Sequence, residues 1–554
     1  MSIARTSRLL PLLTLTSCVT GPSNPNETPP PRVELAAPAS DAWYSHAVFY
    51  EVFVRSFQDS NGDGKGDLPG LLSRLDYLND GDPNTSTDLG VDALWLMPVF
   101  ASPSYHGYDV TDYERIHPDY GTNEDLERLC AEAHRRGMRV ILDLVINHSS
   151  SEHPWFIESA SSPDSPRRDW YQWNKADLGW KQPWDNFSAG STWHARNGAY
   201  YYGVFWGGMP DLNLRTPAVR EEAKRIASLW LARGVDGFRL DAARYLIETG
   251  GGLTSQADTP ETHAFWKEFA EHVRGVKPDA VLVGEAWTTT PLIAPYFGST
   301  AKHPQGDELP LNFNFPLAEV ILKAAQSGDS TGIALKLSEM SSRYPAGVAD
   351  APFLTNHDHI RVATQLAGQS GPLVTAASLL LTLPGSPFIY YGEELGMANG
   401  PSTRDEEKRT PMPWDATGPG AGFTTGTPWH VFAPGREQTH VAAQTGNPNS
   451  LLSRYRDLIR ARHGSPALDR GGLLLLSSPR GRAPLLAFVR SFGGERVLVV
   501  HNLANTAGTV GPFELEAETT EPLFTDPAVE SPTRSGTAWS VTLPGRATGI
   551  WRLK

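Results

Sequence analysis

The sequence predicts an α/β protein: a (β/α)8 TIM barrel with a subdomain inserted after the third strand and a C-terminal antiparallel β-sandwich. Three patterns indicate this class. Apolar runs alternate with amphipathic helical patterns from residue 46 to residue 463. Residues 149–213 interrupt that alternation without a clear period of their own. After residue 468 the pattern changes to short strands separated by turn-forming residues.

The predicted barrel strands are near-continuous apolar runs, which are typical of strands buried on both faces of a parallel sheet. They occupy residues 46–57, 90–100, 138–148, 235–241, 280–287, 351–358 and 386–395. Apolar residues at helical spacing separate them at 123–137, 217–234, 262–275, 372–385 and 449–463. So many strand–helix units favour a closed barrel over an open sheet.

The predicted domain boundaries follow from these patterns. The barrel comprises residues 41–148 and 214–468, the inserted subdomain B residues 149–213, and the β-sandwich residues 469–554. A long irregular segment in a compact domain is usually functional, so we expect subdomain B to overhang the barrel mouth. Its indole rings either stack on substrate or build a local core; they are Trp155, Trp170, Trp173, Trp180, Trp184, Trp193 and Trp206.

The N-terminus has the features of an export signal. Two arginines precede a short apolar run and then small residues, so residues 1–17 are predicted to be a signal peptide rather than a membrane span. The run ends at Cys18 and resembles a bacterial lipobox, which implies lipid on Cys18; the alternative is a plain secretory signal. Residues 18–40, rich in Pro, Ser and Asn, are predicted to be a flexible tether. We therefore expect an exported lipoprotein, at the cell surface or in the periplasm, that contacts a membrane only through this anchor.

Charge and composition narrow the class of partner. A net charge of −14 over 554 residues argues against nucleic acid, because such a chain does little to offset phosphate repulsion. A neutral substrate fits better, and 16 Trp and 17 Tyr supply flat rings on which sugars stack. The second cysteine, Cys130, lies at a helical spacing typical of a small buried residue, so no disulfide framework is predicted.

Three predicted strands end in a carboxylate. Asp241, Glu285 and Asp358 each terminate an apolar run, and the carboxyl ends of barrel strands meet at one mouth. Arg239 shares a strand face with Asp241 and favours its ionised form, whereas apolar neighbours favour the protonated form of Glu285. We therefore expect Asp241 to be a nucleophile and Glu285 a general acid/base, the pair that cleavage of a glycosidic bond requires.

Asp358 and its neighbour His357 are expected to hold sugar hydroxyls. Each acid taken alone is better explained as a strand-end carboxylate satisfied by backbone amides, and it is their combination with Arg239 that favours catalysis. The distance between the carboxyl groups of Asp241 and Glu285 decides the stereochemistry: roughly 5 Å indicates retention and about 9 Å indicates inversion.

Four motifs resemble, in order and spacing, the short regions of the α-amylase family, glycoside hydrolase family 13: DLVINH (143–148), GFRLDAAR (237–244), GEAW (284–287) and FLTNHD (353–358). The resemblance spans residues 43–554 and implies a retaining double displacement. It also implies that Tyr108, Asp112, His148 and Arg239 surround the sugar next to the scissile bond. MPDLN (209–213) resembles the fifth region in a form intermediate between oligo-1,6-glucosidase-like and neopullulanase-like members.

A candidate cation loop follows the first predicted strand. Residues 59–67 place oxygen side chains at alternate positions, as a loop that wraps a hard cation does. The twelfth loop position is Gly70 where an EF-hand needs Glu, so this is not an EF-hand. The loop resembles the calcium loop of oligo-1,6-glucosidase-like relatives, which implies that Ca²⁺ is bound by Asp59, Asn61, Asp63, the Lys65 carbonyl and Asp67. A metal-free turn is the alternative. Asn147 matches the other calcium position of the family.

The substrate indications conflict. The resemblance implies that Ala242 favours α-1,4 bonds, because α-1,6-directed members tend to carry Val at this position. Arg244 and Tyr245, in contrast, depart from the amylase pattern, since amylases often have Lys-His where the leaving sugar binds. Arg404 and the run 409–414 resemble α-glucosidase and trehalose synthase members, and we expect Arg404 to contact substrate. We predict an endo-acting α-amylase on starch and maltodextrins. The alternatives are an exo-acting α-glucosidase or oligo-1,6-glucosidase, a cyclomaltodextrinase-like enzyme, and a silent carbohydrate-binding or transporter-associated subunit.

Overall fold

Seven short parallel strands form the central sheet of the protein. The computed structural model describes residues 33–184, 190–476 and 483–554; the predicted signal peptide, Cys18 and the first part of the predicted tether lie outside the described residues. The strands are β1 (Phe49–Val52), β2 (Ala93–Leu96), β3 (Arg139–Leu144), β4 (Gly237–Leu240), β5 (Val281–Gly284), β6 (Leu311–Asn312) and β7 (Phe388–Tyr390). Their order in the sheet is β6-β5-β4-β3-β2-β1-β7.

One further segment pairs with both edges of the sheet and closes it into a barrel. A parallel bridge joins Phe313, directly after β6, to Ala351, and a second joins Phe353 to Phe388 in β7. The segment 351–353 therefore occupies the place of the remaining strand, and the predicted (β/α)8 barrel is confirmed. Sequence reasoning missed β6, because two residues are too few to show a period.

Helices cover the outside of this sheet. The longer ones are Asn123–Arg135, Pro217–Ala232, Pro260–Val276, Phe315–Ser327, Thr331–Arg343, Ser370–Thr382 and Leu451–His463. Shorter ones are Val54–Phe57, Leu68–Ser73, Leu75–Leu78, Leu253–Gln256, Thr290–Ile293, Val362–Gln365, Val441–Gln444 and Pro466–Arg470. Local sequence explains where several begin: Thr122 and Asp125 form a reciprocal capping box, and proline opens the helices at Pro217 and Pro260.

Aromatic side chains fill the barrel interior. The rings of Phe49 and Phe388 stack with centroids 4.2 Å apart, and Trp95 packs against Phe313 at 5.3 Å. All four side chains are buried. The barrel is therefore a packed core, and a ligand site has to lie at one of its mouths.

The predicted subdomain B contains the helix Pro154–Ser161 and a three-stranded antiparallel sheet of Trp173–Asn174, Ala199–Tyr202 and Trp193–Arg196. Most of its rings build a local core, as in the packing of Phe156 against Trp173 and of Trp180 against Trp193. Two short strands, Phe100–Ala101 and Asp112–Ile116, pair outside the barrel sheet.

The C-terminal region forms the predicted β-sandwich. One sheet contains Gly472–Leu475, Leu485–Phe492, Glu495–Asn502, Thr548–Leu553 and Thr520–Thr525, and the other contains Gly508–Glu514, Ala538–Leu543 and Thr533–Ser535. A further strand, Glu34–Leu35, pairs with Gly472–Leu475 at the edge of the first sheet. The last residues of the predicted tether are thus part of the fold, because their backbone completes a sheet edge. Among the described residues, no helix combines the length and apolarity needed to cross a membrane.

Candidate active site

Three strand-end carboxylates line one cavity of about 650 Å³ at the barrel mouth. Asp241 follows β4 and Glu285 follows β5 directly, and Asp358 lies five residues after Phe353. The structure therefore brings together the three acids that the sequence selected. The cavity is lined by His106, Tyr108, His148, Trp184, Phe205, Trp206, Met209, Asp241, Ala242, Arg244, Tyr245, Glu285, Trp287, Asp358, Asp405 and Arg409.

Arg239 holds two of these acids on one guanidinium group. Its Nη1 donates to Asp241 Oδ1 at 2.8 Å, and its Nη2 lies 2.9 Å from Glu285 Oε2. Nη1 also donates to Asp143 at 2.9 Å. The arginine is fully buried and lies beneath the cavity rather than on its surface. It therefore fixes the acids and balances their charge, and does not line the cavity itself.

Glu285 is tied to the residue that follows Asp241. The Ala242 amide donates to Glu285 Oε2 at 2.9 Å, and Ala242 adopts a φ of 51°, a left-handed conformation that is uncommon for alanine. Burial raises the pKa of Glu285 to about 7; Arg239 opposes that rise, and Asp241 and Asp358 add to it. A pKa raised toward neutrality suits the acid/base role that was predicted for Glu285 from its apolar neighbours.

Asp358 has the opposite electrostatic setting. Its Oδ1 lies 3.0 Å from Arg409 Nη2, and its Oδ2 lies 3.2 Å from His357 Nε2. Burial favours the neutral acid, but His357 and Arg409 outweigh that effect and hold the pKa of Asp358 well below its usual range. Asp358 therefore stays ionised.

His357 lies behind the cavity wall with both ring nitrogens engaged. Its Nδ1 is 2.6 Å from Glu51 Oε1, and its Nε2 is 2.6 Å from the Tyr108 hydroxyl. Burial disfavours the charged ring, but Asp358 and Glu51 raise the pKa of His357 to about 9. The structure does not place His357 where it holds a sugar hydroxyl, as the sequence had suggested; it places the ring where it fixes Asp358 and Tyr108.

Two other predicted substrate residues lie on the cavity surface. The Tyr108 hydroxyl also donates to Asp143 at 3.0 Å, and the Tyr108 ring stacks on His357. His148 Nε2 lies 3.1 Å from the Tyr108 carbonyl, and burial lowers its pKa, so the ring is neutral. Asp143, which opens the DLVINH motif, is fully buried; burial raises its pKa to about 6 despite Arg239.

Partly exposed indole rings form the rim of the cavity. Trp184 and Trp206 come from the insertion and Trp287 from the segment after β5, and all three are more than 40% exposed. One face of Trp287 is covered by Phe315 and His359, whose ring centroids lie 4.7 and 4.6 Å from its own. The insertion thus contributes to the cavity wall: some of its Trp rings build its local core, and Trp184 and Trp206 line the cavity.

Two predicted substrate residues are not brought to the cavity. Asp112 begins an edge strand, and its carboxylate accepts the amide of Glu114 at 2.9 Å. The Arg404 side chain is 65% exposed and points to Glu406 and Glu407. Arg409, five residues later, lines the cavity and donates to Asp358. Sequence reasoning missed Arg409, although it opens the RTPMPW run that drew attention to this segment.

The predicted cation loop, residues 59–67, is curled by hydrogen bonds within it. Asp59, Asn61 and Asp63 each accept a backbone amide two residues ahead, which curls the loop. Asp67 returns to the start of the loop, with Oδ2 3.4 Å from Asn61 Nδ2. Asp67 Oδ2 also accepts the Ser60 amide at 3.1 Å, so the two ends of the loop approach each other, and its side-chain oxygens are of the donor type that Ca²⁺ takes. Among the described residues, no three His, Cys, Asp or Glu side chains form a metal cluster by themselves, so amide and carbonyl oxygens have to contribute.

Comparisons with known proteins agree with this geometry. Residues 51–471 match the catalytic domain of the α-amylase family. The chain is 42% identical to α-amylase 3 of Dictyoglomus thermophilum, covering 85% of this chain and 87% of that protein. It is 34% identical to the oligo-1,6-glucosidase of Halalkalibacterium halodurans, covering 86% and 93%. The crystal structure of the α-amylase from H. orenii superposes with a TM-score of 0.80 at 38% identity, covering 92% of this chain and all of that one.

Proposed function

Because the chain belongs to the α-amylase family, glycoside hydrolase family 13, we propose that it cleaves internal α-1,4-glucosidic bonds of starch and maltodextrins with retention of configuration. The observation that supports this most directly is the single guanidinium of Arg239, which contacts both Asp241 and Glu285 in one cavity. Two acids that contact one guanidinium group suit the retaining geometry, in which no water has to fit between them.

In the first step, the Asp241 carboxylate attacks the anomeric carbon while Glu285 gives its proton to the departing glycosidic oxygen. The bond to that oxygen breaks, and a glycosyl ester with Asp241 forms. In the second step, Glu285 removes a proton from water, the water oxygen attacks the same carbon, and Asp241 leaves as a carboxylate. The raised pKa of Glu285, about 7, suits a group that is an acid in one step and a base in the next.

Asp358 and Arg409 have a separate task in this scheme. The ionised Asp358 carboxylate faces the cavity and is held from behind by His357 and Arg409. A fixed carboxylate accepts hydrogen bonds from sugar hydroxyls and resists displacement as the ring flattens in the transition state. We propose that Asp358 binds the sugar directly and that His357 and Arg409 position it.

The rim of the cavity supports a long substrate. Trp206 in the insertion and Trp287 after β5 are both partly exposed and line the cavity that contains the proposed reacting acids. Arg244 does not project a free charge among them, since Asp258 accepts two hydrogen bonds from it, at 2.9 and 2.6 Å. The cavity thus offers apolar stacking surfaces beyond the bond to be cleaved, which suits a neutral glucan chain.

An exo-acting enzyme is the second candidate, because a 34% identical relative is named oligo-1,6-glucosidase. A maltoheptaoside blocked at its non-reducing end separates the two. We expect cleavage within the chain, detected as blocked products of intermediate length. An intact blocked substrate, with glucose released from free maltose, would overturn the endo proposal.

A silent carbohydrate-binding subunit is the non-enzymatic alternative. Asp241→Asn keeps the shape of the side chain but removes the nucleophile, so turnover should be lost while maltodextrin still binds, as measured by calorimetry. If the unaltered protein shows no turnover and binds as the variant does, the subunit is the better explanation.

We also propose that the loop 59–67 binds Ca²⁺ through Asp59, Asn61, Asp63, Asp67 and the Lys65 carbonyl. The loop begins two residues after the helix Val54–Phe57, and Asp67 caps the helix Leu68–Ser73 by accepting the Gly70 amide. A bound ion would stabilise both junctions. Chelation should therefore lower the melting temperature and added Ca²⁺ restore it, and an Asp63→Ala variant should lose this response of the loop.

A further inference from the structure

Arg244 lines the cavity, but its charge is paired inside the cavity wall. Its side chain is buried, and its Nε and Nη2 donate to the two carboxylate oxygens of Asp258, at 2.9 and 2.6 Å. Two parallel hydrogen bonds between planar groups fix the plane of the guanidinium group as well as its position. The direction in which Nη1, the remaining nitrogen, points is therefore set by Asp258.

Nη1 of Arg244 contacts two other segments of the cavity wall. It donates to the Trp287 carbonyl at 2.8 Å and to the Tyr245 hydroxyl at 3.3 Å. Trp287 follows β5, Tyr245 follows β4, and both residues line the cavity. The Tyr245 ring also packs edge-on against Phe205 of the insertion, with the centroids 6.3 Å apart. One guanidinium group thus joins the segments that follow two neighbouring barrel strands.

Asp258 is held by further contacts of its own. Its Oδ1 accepts the Tyr296 hydroxyl at 2.7 Å, and its amide donates to the Arg244 carbonyl at 3.0 Å. Its φ of 56° lies in the left-handed region, which is uncommon for residues other than glycine and persists where surrounding contacts impose it. Both the backbone and the side chain of Asp258 therefore bind Arg244, and the pair behaves as one unit.

This pair lies on the side of the proposed acid/base. The Ala242 amide, two residues before Arg244, donates to Glu285, and Trp287 is two residues after Glu285. Burial raises the pKa of Tyr245; Arg244 opposes that rise, and the charge of Glu285 adds to it. Glu285 gives its proton to the departing oxygen, so the sugar that carries this oxygen lies beside Glu285. Trp287 and Tyr245 therefore flank the leaving sugar.

We propose that Arg244 and Asp258 are positioning residues, which hold Trp287 and Tyr245 as two sides of the subsite for the leaving sugar. The pair acts through these two residues and not on the cleaved bond. This inference rests on the proposed function, in which a sugar departs on that side. In the second step an acceptor enters from the same side, so the pair also affects how often a sugar replaces water.

The test compares two leaving groups in the variant Arg244→Lys. Lysine keeps the charge but lacks the planar fork, so it cannot bind Asp258 at two points and Trp287 as well. kcat/KM on maltodextrin should fall by roughly 10–100-fold, because small displacements of positioning groups cost about that much. Fluoride is too small to reach the two side chains, so kcat/KM on α-maltosyl fluoride should stay within about twofold. With maltose added as acceptor, the ratio of transfer to hydrolysis of α-maltosyl fluoride should also fall.

Asp258→Asn separates positioning from direct sugar binding by Arg244. If the two residues act as a unit, Asp258→Asn should show the same selective loss, and the double variant should lose little more than the larger single loss. Arg215→Lys is the matched control, because it alters an exposed pair with Glu261 and should change neither substrate. Tyr245→Phe removes only the hydroxyl that Arg244 contacts and should show a smaller loss of the same selectivity. A change this conservative keeps the comparison possible if the pair is needed for folding, which melting temperatures will report.

Three results would overturn the inference. The first is an equal loss on maltodextrin and on α-maltosyl fluoride, and the second is unchanged maltodextrin cleavage in Arg244→Lys. The third is a loss in Arg244→Lys that Asp258→Asn does not share, because Arg244 would then bind the sugar itself. Failure of the proposed function looks different, since the unaltered protein would then leave the end-blocked maltoheptaoside intact.

Discussion

The protonated state of Glu285 gives the sharpest test of the proposed chemistry. Its pKa of about 7 comes first from burial, with Arg239 lowering it and the charges of Asp241 and Asp358 raising it. If Glu285 must be protonated to help the leaving group depart, kcat/KM on maltodextrin should fall tenfold per pH unit above that value. At pH 9 the loss should be about 100-fold relative to the plateau.

The substitution Glu285→Gln separates this role from a structural one. General acid catalysis is worth roughly 10²–10⁴-fold, so kcat/KM on maltodextrin should fall by about 10³-fold. Fluoride leaves without a proton, so kcat/KM on α-maltosyl fluoride, which reports only steps through glycosylation, should fall by less than about tenfold. The basic limb of the pH profile should disappear on that substrate.

The second half of the mechanism can be checked with the same variant. Without Glu285 as base, the glycosyl ester on Asp241 should accumulate, and azide, which needs no base, should release it as α-maltosyl azide. Asp358→Asn is the matched control: it should lower kcat/KM on maltodextrin and on α-maltosyl fluoride by the same factor, because Asp358 is proposed to bind the sugar ring and not the leaving group. It should also move the basic limb to lower pH, since a charge that raises the pKa of Glu285 is gone.

Equal losses on the two substrates would refute the assignment of Glu285 as the acid. So would a basic limb that persists unchanged in the Glu285→Gln variant, because another group would then control it. A β-configured azide product would refute retention, and with it the role of Asp241 as nucleophile.

Three further predictions concern individual side chains. Arg409→Ala should lower kcat/KM by roughly 10–100-fold because Asp358 loses its partner, whereas Arg404→Ala should stay within about twofold, both by initial rates on maltodextrin. Trp206→Ala should raise KM for long maltodextrins by up to about tenfold and leave KM for α-maltosyl fluoride unchanged, and Trp206→Phe should restore most of the loss. Cys18→Ala should abolish palmitate labelling in cells and release the protein from the membrane. If the unaltered protein is already secreted in soluble form, and Cys18→Ala does not change this, the anchor is excluded.

The location of the three strand-end acids was predictable because of a property of parallel barrels. Asp241, Glu285 and Asp358 each end an apolar run, and barrel topology brings strand ends to one mouth whatever the detailed packing. The alternation of side chains along β4 likewise predicted that Arg239 and Asp241 share a face, and Arg239 does contact Asp241. The predictions that rested on local periodicity, namely that the three acids meet and that Arg239 lies beside Asp241, were therefore confirmed.

The failures involve contacts between segments that are distant in the chain. Arg404 and Arg409 lie in one loop, and no sequence rule says which of them turns inward. His357 was expected at the sugar, but Glu51, more than three hundred residues away, holds it behind the wall. The backbone of Glu34–Leu35 is ordered by a strand near residue 473. In each case the partner was unknown until the chain had folded.

By itself, then, the sequence determined the barrel, the sandwich and which strand-end carboxylates meet in one cavity, since these depend on period, spacing and strand ends. Only the tertiary structure decided which groups support them: Arg409 beside Asp358, Glu51 beside His357, and the burial that raises the pKa of Glu285. The physical reason is that burial and electrostatic pairing belong to positions in space. A carboxylate becomes an acid, an anion or a cation ligand according to what the fold packs against it.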